Sequence, residues 1–213
     1  MEIKKKYRYI EIIIVIAFSL LLFLIAALYN DVFTKIMSVA TYLTWHNLFE
    51  FLSIFASFSV FMVTYYLYEE TGQLRMIIVA CAFFAMGFID VFHTLSFKGM
   101  ADFFVPNLTA NRATTFWILS RLIGSTGFLI SSLIPELKAT SLNKWIFIIP
   151  TSILIISLLF IVTYKPEFFP AMYIDGYGLT NAKIVLEYLV VILMMATFFT
   201  VERAYRSTNK RLS

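Results

Sequence analysis

Cysteine and charge are both scarce in this chain of 213 residues: there is one cysteine, and charged residues make up 14%. The lone Cys81 can close no intramolecular disulfide and assemble no cysteine metal cluster. Soluble domains carry about 25% charged residues, so a soluble enzyme and a disordered chain are excluded together. Internal repeats and low-complexity segments are also lacking, and no stretch is left over for a second folded domain. What fills the chain is apolar: 61% hydrophobic residues, 18% aromatic residues and a mean hydropathy of +0.84. That is the composition of a membrane protein. The net charge of +4 and pI near 9.1 would suit nucleic acid, but the placement of the basic residues argues against it.

A bilayer core of about 30 Å needs roughly 20 apolar residues per helix. Six stretches meet that length, at about 10–29, 41–67, 74–95, 113–134, 145–163 and 180–201. Turn chemistry separates them: Tyr29-Asn30-Asp31, Glu69-Glu70-Thr71-Gly72, Lys98-Gly99-Met100, Pro135-Glu136, and Lys165-Pro166 onward to Gly178. The first stretch follows Lys4-Lys5-Lys6 but is longer than the roughly 7–15 apolar residues of a signal peptide, and reads as a retained anchor helix.

With the N-terminus inside, the cytoplasmic segments hold Lys4, Lys5, Lys6, Arg8, Arg75, Lys138, Lys144, Arg203, Arg206, Lys210 and Arg211. The outer segments hold Lys35, Lys98, Arg112, Lys165 and Lys183. This bias predicts an all-α, six-helix polytopic protein with both termini cytoplasmic, in the cytoplasmic membrane. The basic ends then touch lipid headgroups, and no nucleic-acid partner is expected.

Ionisable groups at membrane depth cost about 2.5–3.5 kcal/mol each on insertion scales, so each needs a reason. His46 and Glu50 lie at i,i+4 on the second stretch; Asp90 and His93 lie at i,i+3 on the third. They are joined by Arg121 on the fourth and Glu187 on the sixth. At 1.5 Å per residue all six fall between about 3 and 13 Å below the same surface. Glu50 continues on its face as Ser53 and Ser57, and Arg121 shares a face with Thr114, Trp117 and Ser125.

The bland reading is an interior ion-pair network in which Asp90 or Glu187 neutralises Arg121. Two histidines and three carboxylates against one arginine leave spare ligand capacity, which favours a functional site. Imidazole with carboxylate suits zinc, iron, copper or manganese, with His46, Glu50, Asp90 and His93 as ligands. Haem between His46 and His93 is an alternative, as is a polar small molecule or lipid headgroup. A metal-dependent hydrolase with Glu50 or Asp90 as base is the competing enzyme reading. The outer loop 168–173, rich in aromatics, is expected to rest on the membrane interface, and the Asn107-Leu-Thr109 sequon carries little weight.

Three runs carry a resemblance: His46-x-x-x-Glu50-Phe51-Leu52-Ser53, then Asp90-Val-Phe-His93-Thr94-Leu95-Ser96-Phe97-Lys98-Gly99-Met100, then Asn111-Arg-Ala-Thr114-Thr-Phe-Trp117-Ile-Leu-Ser-Arg121. They resemble the third class of bacterial membrane-associated sensor domains, across nearly the whole chain. The resemblance implies an input module in the bacterial inner membrane. It would feed a cytoplasmic effector of histidine kinase or diguanylate cyclase type, in cis or in trans, as a homodimer. Ser213 falls a dozen residues past the last stretch, which fits either a module continuing into its effector or a stand-alone member. On that reading Trp117 walls an outward-facing pocket, Lys98 and Asn111 shape its mouth, and Arg121 with Glu187 supplies counter-charge.

Overall fold

The computed structural model describes residues 2–29, 32, 39–135 and 140–211. Asn30, Asp31, Lys35, Glu136 and Lys138 lie outside them, as do the side chains of Lys4, Lys5, Lys6, Arg8, Lys210 and Arg211. Six helices follow one another: α1 (Glu2–Leu28), α2 (Val39–Thr71), α3 (Leu74–Leu95), α4 (Asn111–Leu133), α5 (Trp145–Tyr164) and α6 (Asn181–Arg211). A 3-10 turn (Pro166–Phe168) and a two-residue hairpin, β1 (Tyr173–Ile174) with β2 (Gly178–Leu179), lie between α5 and α6. Five helices, α2 to α6, are long and apolar enough to cross a membrane, and the described part of α1 holds a shorter apolar run at Ile16–Ile25.

The α2 helix runs past the expected end at Leu67, through Glu69 and Glu70, to Thr71. Glu69 is held there by Lys144, and the break comes at Gly72, whose φ of +63° is open to glycine and strained for other residues. Thr140 N–H donates to the Gly72 carbonyl at 2.8 Å and ties this turn to the stretch before α5.

The chain divides into two compact units, Met1–His46 and Asn47–Ser213. In the first, α1 presents Ile13, Phe18, Leu20 and Phe23 outward, as a helix surrounded by lipid would. In the second, α3 is the central helix, with α4 and α5 packed along it and α6 packed on α4. Its inward residues are small or branched (Ile77, Ala80, Ala82, Ala85, Ile89); Ala85 and Ile89 form one buried cluster with Phe92, Phe116, Ile155, Leu158 and Val162, and Ile77 and Ala80 a second with Tyr68 and Ile148. Lipid tails are as apolar as leucine, so close packing rather than water exclusion must hold such helices together.

Gly127 on α4 shows the consequence. A Cβ there would stand 2.6 Å from the Cβ of Ala82 on α3. Gly127→Val should therefore push α3 and α4 apart, at about 1–3 kcal/mol for overpacking. Thermal unfolding in mild detergent checks this: the midpoint of Gly127→Val should fall well below that of an exposed control such as Leu133→Val.

The loops at 96–110 and 165–180 meet at one end of this unit. Asn111 Oδ1 accepts from the N–H groups of Met172 (2.7 Å) and Tyr173 (3.0 Å), and Lys98 donates to Asp175 at 2.8 Å. The aromatic loop is thus more than a surface rest. Phe168 is exposed, but Phe169 packs against the core and Met172 is buried. Asn107 is turned inward, donating to the Leu95 and Ala101 carbonyls, so its sequon is sequestered.

Candidate functional site

Near that end, α2, α3, α4 and α6 each contribute ionisable side chains. The last two turns of α3 supply Asp90 and His93, three residues apart and so on one face. Asp90 is fully buried, with Arg121 Nη2 from α4 at 3.4 Å from Oδ2. Of the two carboxylates that could neutralise Arg121, the one that does so is Asp90. The Ser120 hydroxyl, also fully buried, lies beside the Asp90 carboxylate.

His93 is oriented by its backbone neighbour. Nδ1 lies 2.8 Å from the Ala113 carbonyl, an acceptor only, so Nδ1 carries the proton. In the neutral ring this leaves the lone pair on Nε2, which faces Glu50 Oε1 of α2 across 3.9 Å. The other Glu50 oxygen is buried without a hydrogen-bond partner. Two acceptors face each other there, an arrangement that repels unless a proton or a cation stands between them. His46 lies one turn before Glu50 on the same helix face and stacks on Tyr42, ring centroids 5.7 Å apart.

Trp117 lies between two cations. The Arg121 guanidinium is 5.5 Å from its ring centroid, and Lys183 Nζ is 4.6 Å from it. Lys183, on α6, is 7% exposed and pairs with Glu187 one turn on. Glu187 therefore spends its charge on Lys183. Sequence arithmetic placed Lys183 among the outer-surface residues and passed over it. Its i,i+4 spacing to Glu187 is the signal that would have drawn it in. Lys98 and Asn111 lie at the loop end, where they pin the hairpin loop. Asp175 raises the Lys98 ammonium above its usual value by accepting its hydrogen bond, but the pair is exposed and contributes little to stability.

Charge bookkeeping isolates Glu50. Asp90 is paired with Arg121 and Glu187 with Lys183. Among the described residues, Glu50 faces the His93 imidazole and no lysine or arginine. Glu50 and His93 could hold a metal ion or an organic cation. The one cysteine, Cys81, lies beside Ile77 and Ala80 in a separate apolar cluster.

The family model for MASE3, a membrane-associated sensor domain, matches residues 37–213. No curated protein and no solved structure matches the chain.

Proposed function

The chain belongs to the MASE3 family of membrane-associated sensor domains, and from that premise we propose that its stimulus is a cation received at Glu50 and His93. The family places it in the bacterial inner membrane as a multi-pass sensory module. The carrying observation is the pair of acceptors facing each other across 3.9 Å in a low-dielectric interior. A transition metal ion such as zinc, iron, copper or manganese satisfies both acceptors at once, because imidazole and carboxylate are both ligands for it. Arg121, Trp117, Lys183 and Glu187 would form its wall.

Both termini are cytoplasmic in this proposal, from the excess of Lys and Arg in those segments. Binding passes a signal only if bound and empty states differ in packing, since a ligand shifts an equilibrium by no more than its differential affinity. The α6 helix touches the site through Lys183 and Glu187 and ends at Arg211. It would carry the difference to an effector of histidine kinase or diguanylate cyclase type, working as a dimer.

Elemental analysis of detergent-purified protein beside His93→Ala tests this. A near-stoichiometric metal in the wild type, or one taken up saturably on titration, should be absent from the variant. An absorption band near 400 nm lost with the metal would replace a bare ion by haem. The same metal content in wild type and His93→Ala, or none in either after titration, would refute a cation site here.

A further inference from the structure

A cavity of about 210 Å³ lies at the loop end. Its lining includes Val105, Pro106, Arg112, Val162, Thr163 and Phe169. Its polar character is opposite to that of the first site. Arg112 uses Nη2 to hold the loop, donating to the Val105 carbonyl at 3.2 Å and to Asn107 Oδ1. Its other terminal nitrogen, Nη1, is buried and has no partner. Among the described residues no carboxylate forms an ion pair with Arg112; Asp102 is near enough to feel its charge but does not reach it. A guanidinium is always protonated, so Arg112 carries its charge with no carboxylate in direct contact among the described residues.

Thr163 provides the second donor. Helical threonines usually donate to the carbonyl one turn back, as Thr64, Thr94, Thr114, Thr115, Thr151 and Thr197 all do here. Thr163 does not. It is 8% exposed, and its hydroxyl is buried without a partner. An unsatisfied buried hydroxyl and an unpaired guanidinium nitrogen each carry a desolvation cost. Finding both in the wall of one cavity indicates a missing acceptor. The rest of the wall is mixed: Thr109, Asn111 and Thr115 add polar groups, and Val105, Val162 and Phe169 form an apolar side.

We propose that this cavity binds a small organic acid, its carboxylate accepting from Arg112 Nη1 and Thr163 Oγ1 and its short apolar tail lying against Val162 and Phe169. The backbone contacts already made by Nη2 leave one guanidinium nitrogen available. That favours a carboxylate, which spreads its two oxygens over two donors, over a phosphate seeking the whole fork. The volume far exceeds the roughly 30 Å³ share of one water, so a tail of a few carbons has room.

The test is thermal unfolding and calorimetry of the detergent-purified full chain with sodium acetate, propionate and butyrate, against sodium chloride at equal ionic strength. Propionate or butyrate should stabilise saturably in the millimolar range, and chloride should not. Thr163→Val should unfold at or above the wild-type midpoint without ligand, because it removes a buried group that has no partner. It should nonetheless bind the acid about three- to tenfold more weakly, the loss of one neutral hydrogen bond. Arg112→Gln should lose about tenfold or more, the loss of a charged one.

Absence of saturable stabilisation by any of the three acids would overturn the proposal. So would undiminished binding in Thr163→Val, which keeps the test independent of whether Arg112→Gln folds. Inorganic phosphate binding more tightly than the acids, or stabilisation only by phosphatidylglycerol nanodiscs, would reassign the cavity to phosphate or to a lipid headgroup and equally overturn it.

Discussion

Removing the guanidinium of Arg121 should destabilise the bundle by about 3–5 kcal/mol, the cost of leaving a buried anion without its partner. Asp90 is fully buried, and Arg121 Nη2 at 3.4 Å is its ion-pair contact among the described residues. Deleting the other partner is a smaller insult. In Asp90→Asn the arginine keeps its place over Trp117 and its side chain is 25% exposed, so water and the indole face share its charge. The expected order of unfolding midpoints is wild type, then Asp90→Asn, then Arg121→Ala well below. The double variant Asp90→Asn/Arg121→Ala should recover most of the Arg121→Ala loss, because the anion that made it costly is gone. A double-mutant cycle in mild detergent measures the coupling. Equal losses in the two single variants would mean that Asp90 is not ionised in the folded chain.

Glu50→Gln should separate ligand binding from stability with opposite signs. The amide keeps the shape of the side chain and can donate a hydrogen to His93 Nε2, where the carboxylate can only confront that lone pair. The empty protein should therefore be as stable as wild type or more so, by up to about 1.5 kcal/mol for a hydrogen bond gained. Metal affinity should fall by about 10–100-fold at least, the loss seen when even an outlying partner of a ligand is removed. Parallel unfolding and metal titrations of Glu50→Gln read both signs. A variant less stable than wild type with unchanged metal content would show that Glu50 is held by a proton shared with His93, and the site would then be structural.

Much of this architecture follows from one-dimensional information, for a plain physical reason. The bilayer demands some twenty apolar residues per crossing, and backbone polar groups can be satisfied there only within a helix. Apolar run length therefore located α3 at 74–95 and α5 from Trp145, each to within a residue of its observed bounds. The same cost of charge in lipid singled out Glu50, Asp90, His93 and Arg121 before any coordinates, and matched depths placed them near one end of the bundle. Depth carries no information about rotation about the helix axis or the reach of a long side chain. Those decide partners, and partners are a property of the packed bundle.

The tertiary structure alone paired Arg121 with Asp90 and gave Glu187 to Lys183, a residue the sequence places only among the basic residues of the outer segments. It alone put the His93 proton on Nδ1, through the carbonyl of a residue 20 positions away. Gly127 looks like any glycine in the sequence; only Ala82 across the α3–α4 contact makes its missing side chain necessary. The loop-end cavity has no sequence signal. Arg112 reads as a surface cation and Thr163 as an ordinary helical threonine until the fold withholds a partner from each. Hydrophobicity is additive along a chain and so legible in it, whereas satisfaction of a polar group is a relation between distant residues that exists only once they are packed.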